Sequence, residues 1–208
     1  MKRYDSSQTL PLLRTGLQPI TAVDTLVDVL EGERPHARKA AVLLPLFVQD
    51  DVLHLVFIRR ASTLRAHSGE IAFPGGSYDA EDISLVTTAL REAFEEIGLL
   101  PASVEVLGLL PPVFTVTSNF LIAPVVGYLP AGLGPLQAQL SEVAEVLVLP
   151  LHAFADPAIA HTETWTRDGQ PRTIYFYELG SLRIWGATGR ILHSLLGCIE
   201  AGEETHKS

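Results

Sequence analysis

The stretch "REAFEEIG", residues 91–98, places three glutamates within eight residues, directly beside apolar side chains. From Ile83 to Ile97 the apolar residues recur at spacings of three and four, which predicts an amphipathic helix with one buried face. Asp82 or Ser84 is suited to cap its N-terminus, and Gly98 is suited to end it in the left-handed conformation. The residues predicted to form the buried face are Val86, Ala89, Leu90, Ala93, Phe94 and Ile97.

The three acids, Glu92, Glu95 and Glu96, fall on one narrow arc of this helix, where each like-charged pair opposes helix formation by about 0.2–0.5 kcal/mol. They also lie near the helix C-terminus, where the macrodipole favours cations. One interpretation is a solvent-exposed face with an ion pair between Arg91 and Glu95. However, the acids border the buried stripe, and "FPGG" at 73–76 precedes the helix. Because Mg²⁺ prefers clustered oxygen ligands, the sequence predicts a magnesium site.

The composition indicates one mixed α/β domain without a strong surface for polyanions. The 208 residues are 47% apolar and carry a net charge of −9, which disfavours nucleic acid and anionic membranes as partners. An anionic substrate would therefore need a metal or a few placed arginines. The single cysteine, Cys198, excludes an internal disulfide and a cysteine-based zinc site. We find neither a signal-peptide pattern nor a membrane-spanning apolar run, and we expect a cytoplasmic protein.

The rest of the chain alternates between strand and helix patterns. "KAAVLLPLFV" and "VLHLVFIRR" predict two strands joined by a tight turn at 49–51, and "TWTRDGQPRTIYF" predicts a hairpin around Asp168 and Gly169. Further predicted strands are "VEVLGLL", "FLIAPVVGYL", "AEVLVLP" and "RTIYFYEL", and "GATGRILHSLLGCIEAG" predicts a C-terminal helix.

These patterns also suggest where the domain begins and ends. We expect an N-terminal extension over 1–35, irregular to about residue 18 and then helical in "TAVDTLVDVLEGE". We expect a single domain over 36–203, and the polar residues 204–208 to form a tail.

The run "GSYDAEDISLVTTALREAFEEIGL" resembles the Nudix box, G-x5-E-x7-R-E-U-x-E-E-x-G-U. The positions that match are Gly76, Arg91, Glu92, Ala93, Glu95, Glu96, Gly98 and Leu99. Between Gly76 and Arg91 lie 14 residues, one more than in the general pattern, and the loop glutamate is replaced by Asp82 or Ile83, depending on the register.

A longer match lies upstream. "VFIRRASTLRAHSGEIAFPGG" is similar to the signature of the coenzyme A pyrophosphatase branch of Nudix hydrolases, a branch that shares the extra loop residue. Ile58 stands where that signature has threonine. The matching positions are Arg60, Ala61, Arg65, Gly69, Phe73, Pro74, Gly75 and Gly76. "IWGATGRIL" near the C-terminus also resembles this group.

The resemblance implies an α+β fold, the Nudix α/β/α sandwich with a mixed sheet between helices. It implies hydrolysis of the pyrophosphate of coenzyme A or acyl-CoA, with Mg²⁺ or Mn²⁺, to 4′-phosphopantetheine and adenosine 3′,5′-bisphosphate. Alternatives are another Nudix substrate (ADP-ribose, NADH or a dinucleoside polyphosphate) or a non-catalytic domain that senses a nucleotide. A homodimer is compatible with the family, and the sequence leaves the oligomeric state open.

By this resemblance, Glu92, Glu96 and Glu95 are the expected metal ligands, together with the carbonyl of Gly76. Glu95, Glu92 and Arg91 are the expected catalytic residues, with Arg91 orienting a helix glutamate. The general base is either a box glutamate or an acid of a later loop, for which the candidates are Glu142 and Glu145.

Arg60 and Arg65 are expected to bind the 3′-phosphate or the pyrophosphate of the substrate, because guanidinium groups match phosphate oxygens. The alternative for each is a structural ion pair, for example with Glu70. His67 is expected to be a hydrogen-bonding loop residue. Trp185 is expected in the core, with stacking on adenine as the alternative.

Overall fold

The two apolar strands predicted before the box form the centre of the sheet in a computed structural model, which describes residues 4–22, 36–62, 69–167 and 169–205. Strand β1 (Arg38–Gln49) and strand β2 (Val52–Arg60) are antiparallel. The turn between them holds Asp50 and Asp51 at φ 51° and 61°. Two consecutive residues with positive φ form the turn that matches the twist of a hairpin, so the predicted tight turn is confirmed.

Strands β1 and β2 pair at the hairpin end and diverge at the other. Between them lie β3 (Ile71–Ala72), which pairs with β2, and β4 (Gly75–Ser77), which pairs with β1. Neither short strand was predicted, because two or three residues carry no readable periodicity. This insertion holds the "FPGG" segment inside the sheet, beside the helix that follows it.

The sheet is mixed. Strand β7 (Phe120–Tyr128) runs parallel to β1, and β8 (Val143–Pro150) pairs with the outer edge of β2. Both β5 (Glu105–Leu109) and β6 (Val113–Thr115) pair with β7. Eight strands therefore form one sheet, and the predicted strands at 104–110, 120–129 and 144–150 are confirmed within it.

A second sheet has three antiparallel strands: β9 (Ala160–Arg167), β10 (Gln170–Leu179) and β11 (Leu182–Ile184). Strands β9 and β10 are the predicted hairpin. Gly169 adopts φ 72° at its turn, while Asp168 lies outside the described residues.

Helices cover both faces of the large sheet, which confirms the α+β class and the α/β/α sandwich with a mixed sheet between helices. Helix α2 (Leu85–Ile97) packs on one face, where its buried residues join those of β1, β2 and β7. Helix α1 (Ser6–Gly16) and helix α3 (Gly186–Thr205) pack on the other face and against each other. Among the α-helices of the described residues, α2 is therefore alone on its face of the sheet.

The N-terminal prediction was wrong in one respect, because residues 6–16 are helical rather than irregular. Asp5 caps α1 by accepting a hydrogen bond from the Ser7 N–H at 2.9 Å, and Leu12 and Leu13 are buried against the core. Pro11 lies inside the helix, and it was this proline that argued against helix in the sequence. Tertiary burial outweighs it.

Two other N-terminal features bear on the predicted domain boundaries. Most of the helix predicted in "TAVDTLVDVLEGE" lies outside the described residues. Helix α1 contributes to the same hydrophobic core as residues after 35. The domain boundaries at 35 and 203 stay predictions. Among the described residues, no helix has both the length and the apolar character needed to cross a bilayer.

Helix α2 matches its prediction except at two positions. It begins at Leu85, with the Ser84 hydroxyl accepting from the Thr87 N–H at 3.2 Å, so Ile83 lies before the helix and is 92% exposed. Gly98 ends the helix at φ 70°, as predicted. Phe94 was expected in the buried face but is 47% exposed, because it faces the open space beside the loop at 131–139 and does not join the core cluster on the sheet.

Candidate active site

The acids of α2 occupy three different environments. Glu96 is 2% exposed, and burial raises the pKa of its carboxyl to about 7. The side chain of Glu92 is 16% exposed, and burial also raises its pKa. The side chain of Glu95 is 56% exposed and points along the surface. The two acids one turn apart, Glu92 and Glu96, therefore form the inner pair.

The "FPGG" segment lies directly against this pair. The Gly75 N–H donates a hydrogen bond to Glu96 Oε2 at 2.9 Å. At Gly76, an added Cβ would lie 2.5 Å from Glu92 Oε2, so only glycine lets the Glu92 carboxylate approach this backbone. Gly75 itself has φ 156°, and its Cβ would lie 2.6 Å from the Cα of Val42. The glycines thus form a cradle in which the backbone of this segment lies against the carboxylates of Glu92 and Glu96.

Arg91 organises the outer side of the site. Its Nη1 donates to Glu92 Oε1 at 2.9 Å and to Glu95 Oε2 at 3.0 Å, and its Nη2 donates to the Ser77 carbonyl at 3.1 Å. Its Nε and Nη2 also donate hydrogen bonds to Oδ1 and Oδ2 of Asp82, each at 3.0 Å. The guanidinium therefore ties the loop before α2 to two of the helix acids.

Asp82 was not among the predicted site residues, yet it is buried next to Arg91. It is 6% exposed, accepts hydrogen bonds from the Asp79 N–H and the Thr88 hydroxyl, and is not the N-cap of α2. The hydrogen bonds from Arg91 lower the pKa of its carboxyl to about 2. Its position six residues after Gly76 was the available signal, because the box has an acid at that place.

A divalent cation fits the chemistry of this donor set. Glu96 is a buried carboxylate beside a second half-buried one, an arrangement that a cation offsets and that is costly without one. Among the described residues no three His, Cys, Asp or Glu side chains converge on one point. Backbone oxygens would therefore join the Glu92 and Glu96 carboxylates as ligands of the cation, and the carbonyl of Gly76 is the predicted one.

Comparison with known proteins agrees with this geometry. The model of the NUDIX domain family matches residues 37–168. The uncharacterized Nudix hydrolase NudL of Photorhabdus laumondii is 41% identical over 158 residues, which cover 76% of this chain and 83% of the relative. NudL of Citrobacter koseri is 39% identical over 166 residues, which cover 80% of this chain and 85% of the relative.

The chain belongs to the Nudix hydrolase family. It is accordingly a pyrophosphohydrolase that acts on a nucleoside diphosphate derivative. Among solved structures, a MutT/nudix family protein from Enterococcus faecalis superposes with a TM-score of 0.48 at 17% identity, over 83% of this chain and 66% of that one.

Around the Nudix helix, Arg60 is the predicted substrate residue that comes closest to the acids. Its Nη1 lies 3.9 Å from Glu96 Oε1, and its Nε is buried without a hydrogen-bond partner among the described residues. The guanidinium of Arg60 thus faces the Glu96 carboxylate. Arg65 and His67 lie outside the described residues.

The two loop acids of this Nudix domain differ in their surroundings. Glu145 pairs across strands with Arg59, whose Nε lies 3.0 Å from its Oε2. Glu142 lies before β8, where its carbonyl accepts from the Ala61 N–H at 2.8 Å. Burial is the main cause of the raised pKa values of Glu92 and Glu96, and the charge of Glu142 raises both further. Of the two candidates, Glu142 is therefore the one whose negative charge acts on Glu92 and Glu96.

Trp185 is half-buried at the start of α3. It stacks with Phe176 at 6.1 Å between ring centroids and lies 5.8 Å from Trp165. Trp185 belongs to neither hydrophobic core cluster, so the expectation that it lies in the core stays a prediction, as does the alternative of stacking on adenine. Cys198 is likewise half-buried, packs beside Gly16 of α1, and has its pKa raised by burial.

Proposed function

We propose that this enzyme hydrolyses the pyrophosphate bond of coenzyme A or its derivatives to 4′-phosphopantetheine and adenosine 3′,5′-bisphosphate. The observation that carries the proposal is Arg60, a guanidinium with a buried unpaired Nε beside Glu96. Coenzyme A differs from ADP-ribose and NADH by its 3′-phosphate, and a protein of net charge −9 needs a local cation to receive it. Free N–H donors of arginine suit this phosphate or the pyrophosphate.

For the metal we propose Mg²⁺ or Mn²⁺, held by Glu92 and Glu96 with the carbonyl of Gly76. Such an ion would neutralise the phosphate oxygens and lower the pKa of water. Arg91 fixes the Glu92 carboxylate from the outside, at 2.9 Å, while the Gly75 N–H fixes Glu96 at 2.9 Å. Glu95 shares Arg91 and is mostly exposed, so its predicted part in metal binding requires it to turn inward.

For the general base we propose Glu142 rather than Glu145 or a box glutamate. The proton of the attacking water passes to the Glu142 carboxylate as the water oxygen attacks phosphorus, and the bridging P–O bond breaks. Glu145 is less suited because Arg59 holds it. In Glu142→Gln, we expect kcat to fall by about 100-fold or more while metal affinity is kept. Unchanged kcat would return the role to a box glutamate.

Substrate choice is tested with Arg60→Ala, and Arg59→Ala provides a matched control on the neighbouring residue of β2. A charge-assisted contact contributes about 1.5–3 kcal/mol, so wild type should prefer coenzyme A over 3′-dephospho-coenzyme A by about 10- to 100-fold in kcat/KM. Arg60→Ala should remove this preference, mainly by weakening coenzyme A, and Arg59→Ala should keep it. Equal losses on both substrates would assign Arg60 to the pyrophosphate. Normal kinetics in Arg60→Ala would show that it is structural.

The alternatives are tested by a substrate panel with Mg²⁺ or Mn²⁺ and chromatographic separation of the products. Faster hydrolysis of ADP-ribose, NADH or a dinucleoside polyphosphate would overturn the choice of coenzyme A. Nucleotide binding without hydrolysis would indicate a sensing domain. Homodimer formation and a cytoplasmic location stay predictions, which light scattering and cell fractionation test.

A further inference from the structure

The outer edge of β9 is a long and regular strand edge. Among the described strands β9 pairs only with β10, and the 8 residues of β9 continue without a register shift. Its sequence, "AHTETWTR", is rich in threonine, which favours strands, and contains no proline, glycine or lysine. Such an edge presents a row of backbone N–H and C=O groups with which another strand can pair.

The edges of the large sheet are protected in ways that the edge of β9 is not. The pairing of β8 with β2 is interrupted by a register shift between Arg59 and Arg60, and β8 ends at Pro150. The edge strand β5 also has a register shift, and its Leu109 exchanges two backbone hydrogen bonds with Gln18, at 2.9 and 3.0 Å. Bulges, prolines and covering segments are the means by which natural sheets prevent pairing at their edges. Since β9 has none of these, its edge is the one suited to association.

The backbone groups that face outward belong to the even-numbered residues of β9. At the start of the strand, the Glu178 N–H of β10 donates to the Ile159 carbonyl at 2.8 Å, so the odd-numbered positions bond to β10. Hydrogen-bonding direction alternates along an antiparallel strand. Thr162, Thr164 and Thr166 therefore direct their N–H and C=O groups away from β10.

The side chains on one face of β9 are complementary to those of a second copy. Trp165 is 45% exposed and lies between Glu163, whose side chain is 42% exposed, and Arg167. When two copies pair antiparallel about a two-fold axis at Trp165, each Glu163 lies opposite Arg167 of the other copy, and the two Trp165 rings meet. On the other face, Thr164 lies opposite Thr166. Opposite charges, aromatic pairs and threonine pairs are the cross-strand pairs that stabilise antiparallel sheets.

Other registers lose this complementarity. With the axis at Thr164, His161 lies opposite Arg167 and Glu163 lies opposite Trp165, so the opposite charges do not pair. With the axis at Glu163, two carboxylates lie opposite each other, which is destabilising. Because each copy carries a net charge of −9, association needs such local complementarity.

We propose that two copies of this chain associate through their β9 edges, antiparallel and centred on Trp165, so that their three-stranded sheets join into one continuous sheet. The partner is a second copy of the same chain, because the edge is complementary to itself. The proposal is independent of the proposed substrate, since it uses no residue of the active site.

The backbone pairing is tested with Thr164→Pro, and Thr164→Val is the matched control. Because the Thr164 N–H faces outward, proline removes a hydrogen bond between the copies and none to β10. In light scattering, wild type should have the mass of two chains. Thr164→Pro should raise the Kd of the dimer by about 100-fold or more with an unchanged circular dichroism spectrum, and Thr164→Val should keep it within about 3-fold. A wild type that is monomeric at about 100 μM, or a Thr164→Pro variant that stays dimeric, would overturn the proposal.

The register is tested by charge reversal. Glu163→Arg places arginines opposite each other and should raise the Kd of the dimer by about 10-fold or more. Adding Arg167→Glu to this variant restores the opposite charges in the reversed sense and should return the Kd to within about 3-fold of wild type. A double variant that dimerises no better than Glu163→Arg would show that the axis does not lie at Trp165.

Disulfide crosslinking detects the same register directly. Opposite residues in a hydrogen-bonded antiparallel pair have Cα atoms about 5.5 Å apart, which a disulfide can bridge. A mixture of Thr164→Cys and Thr166→Cys proteins should therefore crosslink under mild oxidation. Each protein alone should crosslink no more than wild type, whose half-buried Cys198 sets the background. Crosslinking of Thr164→Cys alone would place the axis at Thr164 and overturn the proposed register.

Discussion

Replacing Glu96 by glutamine should stabilise the metal-free protein at neutral to alkaline pH. The carboxyl is 2% exposed, and its burial raises the pKa from an ordinary 4.5 to about 7. Because folding raises this pKa, ionisation of the carboxyl destabilises the folded state. The full stability is therefore present below the unfolded pKa and is lost as the pH rises through the folded pKa. The difference of 7 minus 4.5, at 1.36 kcal/mol per unit, amounts to about 3 kcal/mol at pH 8. At pH 5 less than about 1 kcal/mol of this cost remains.

Glutamine has a similar shape, can still accept the Gly75 N–H, and does not ionise. Urea titrations with EDTA should therefore find Glu96→Gln more stable than wild type by about 2–3 kcal/mol at pH 8 and nearly equal at pH 5. In thermal melts at pH 8, the corresponding gain is about 5–10 °C for a chain of this size. Mg²⁺ should stabilise wild type much more than the variant.

Glu95→Gln is the matched control, because its side chain is 56% exposed and pairs with Arg91 on the surface. It should change stability by less than about 1 kcal/mol at both pH values. A Glu96→Gln variant that is less stable than wild type at pH 8, or whose difference from wild type does not vary with pH, would refute the reasoning. The ionised carboxylate would then be a structural group that needs no metal.

Three further outcomes are expected around the same site. Glu92→Gln should lower kcat by at least about 100-fold with an unchanged circular dichroism spectrum, because a charged metal ligand is lost; normal activity would remove it from the ligand set. Gly76→Ala should reduce kcat in a folded protein, because the added Cβ displaces the Glu92 carboxylate. Gly75→Ala should instead lower the melting temperature, because a Cβ at Gly75, whose φ is 156°, meets the backbone of β1. The opposite pattern would contradict the cradle. Asp82→Asn should cost about 2–3 kcal/mol in urea unfolding, because the half-buried Arg91 loses its bidentate partner; a cost below about 0.5 kcal/mol would show that the pair is dispensable.

The sequence alone was enough to predict α2 and the hairpin of β1 and β2, because each has a strong period and clear end signals. Ser84 and Gly98 mark the limits of α2, and two aspartates mark the turn of the hairpin. In these segments local preference and tertiary packing agree, so a pattern of a few residues suffices.

What could not be predicted depends on contacts between distant parts of the chain. Helix α1 contains Pro11 and is stabilised by burial against α3, and an ion pair joins its Arg14 to Glu105. The exposure of Phe94 depends on where the loop at 131–139 lies, which the period of α2 does not record. The role of Asp82 required knowing that Arg91, nine residues later, folds back onto it.

The site residues fall between these two cases. The box pattern identified Glu92, Glu95 and Glu96 together, but only burial distinguishes them: 16% and 3% exposure for the first and third side chains, against 56% for the second. A helical period places all three on one arc, and it does not record which of them meets the "FPGG" backbone. The same pattern also gave no preference between Glu142 and Glu145, which differ because β2 supplies Arg59 to one of them.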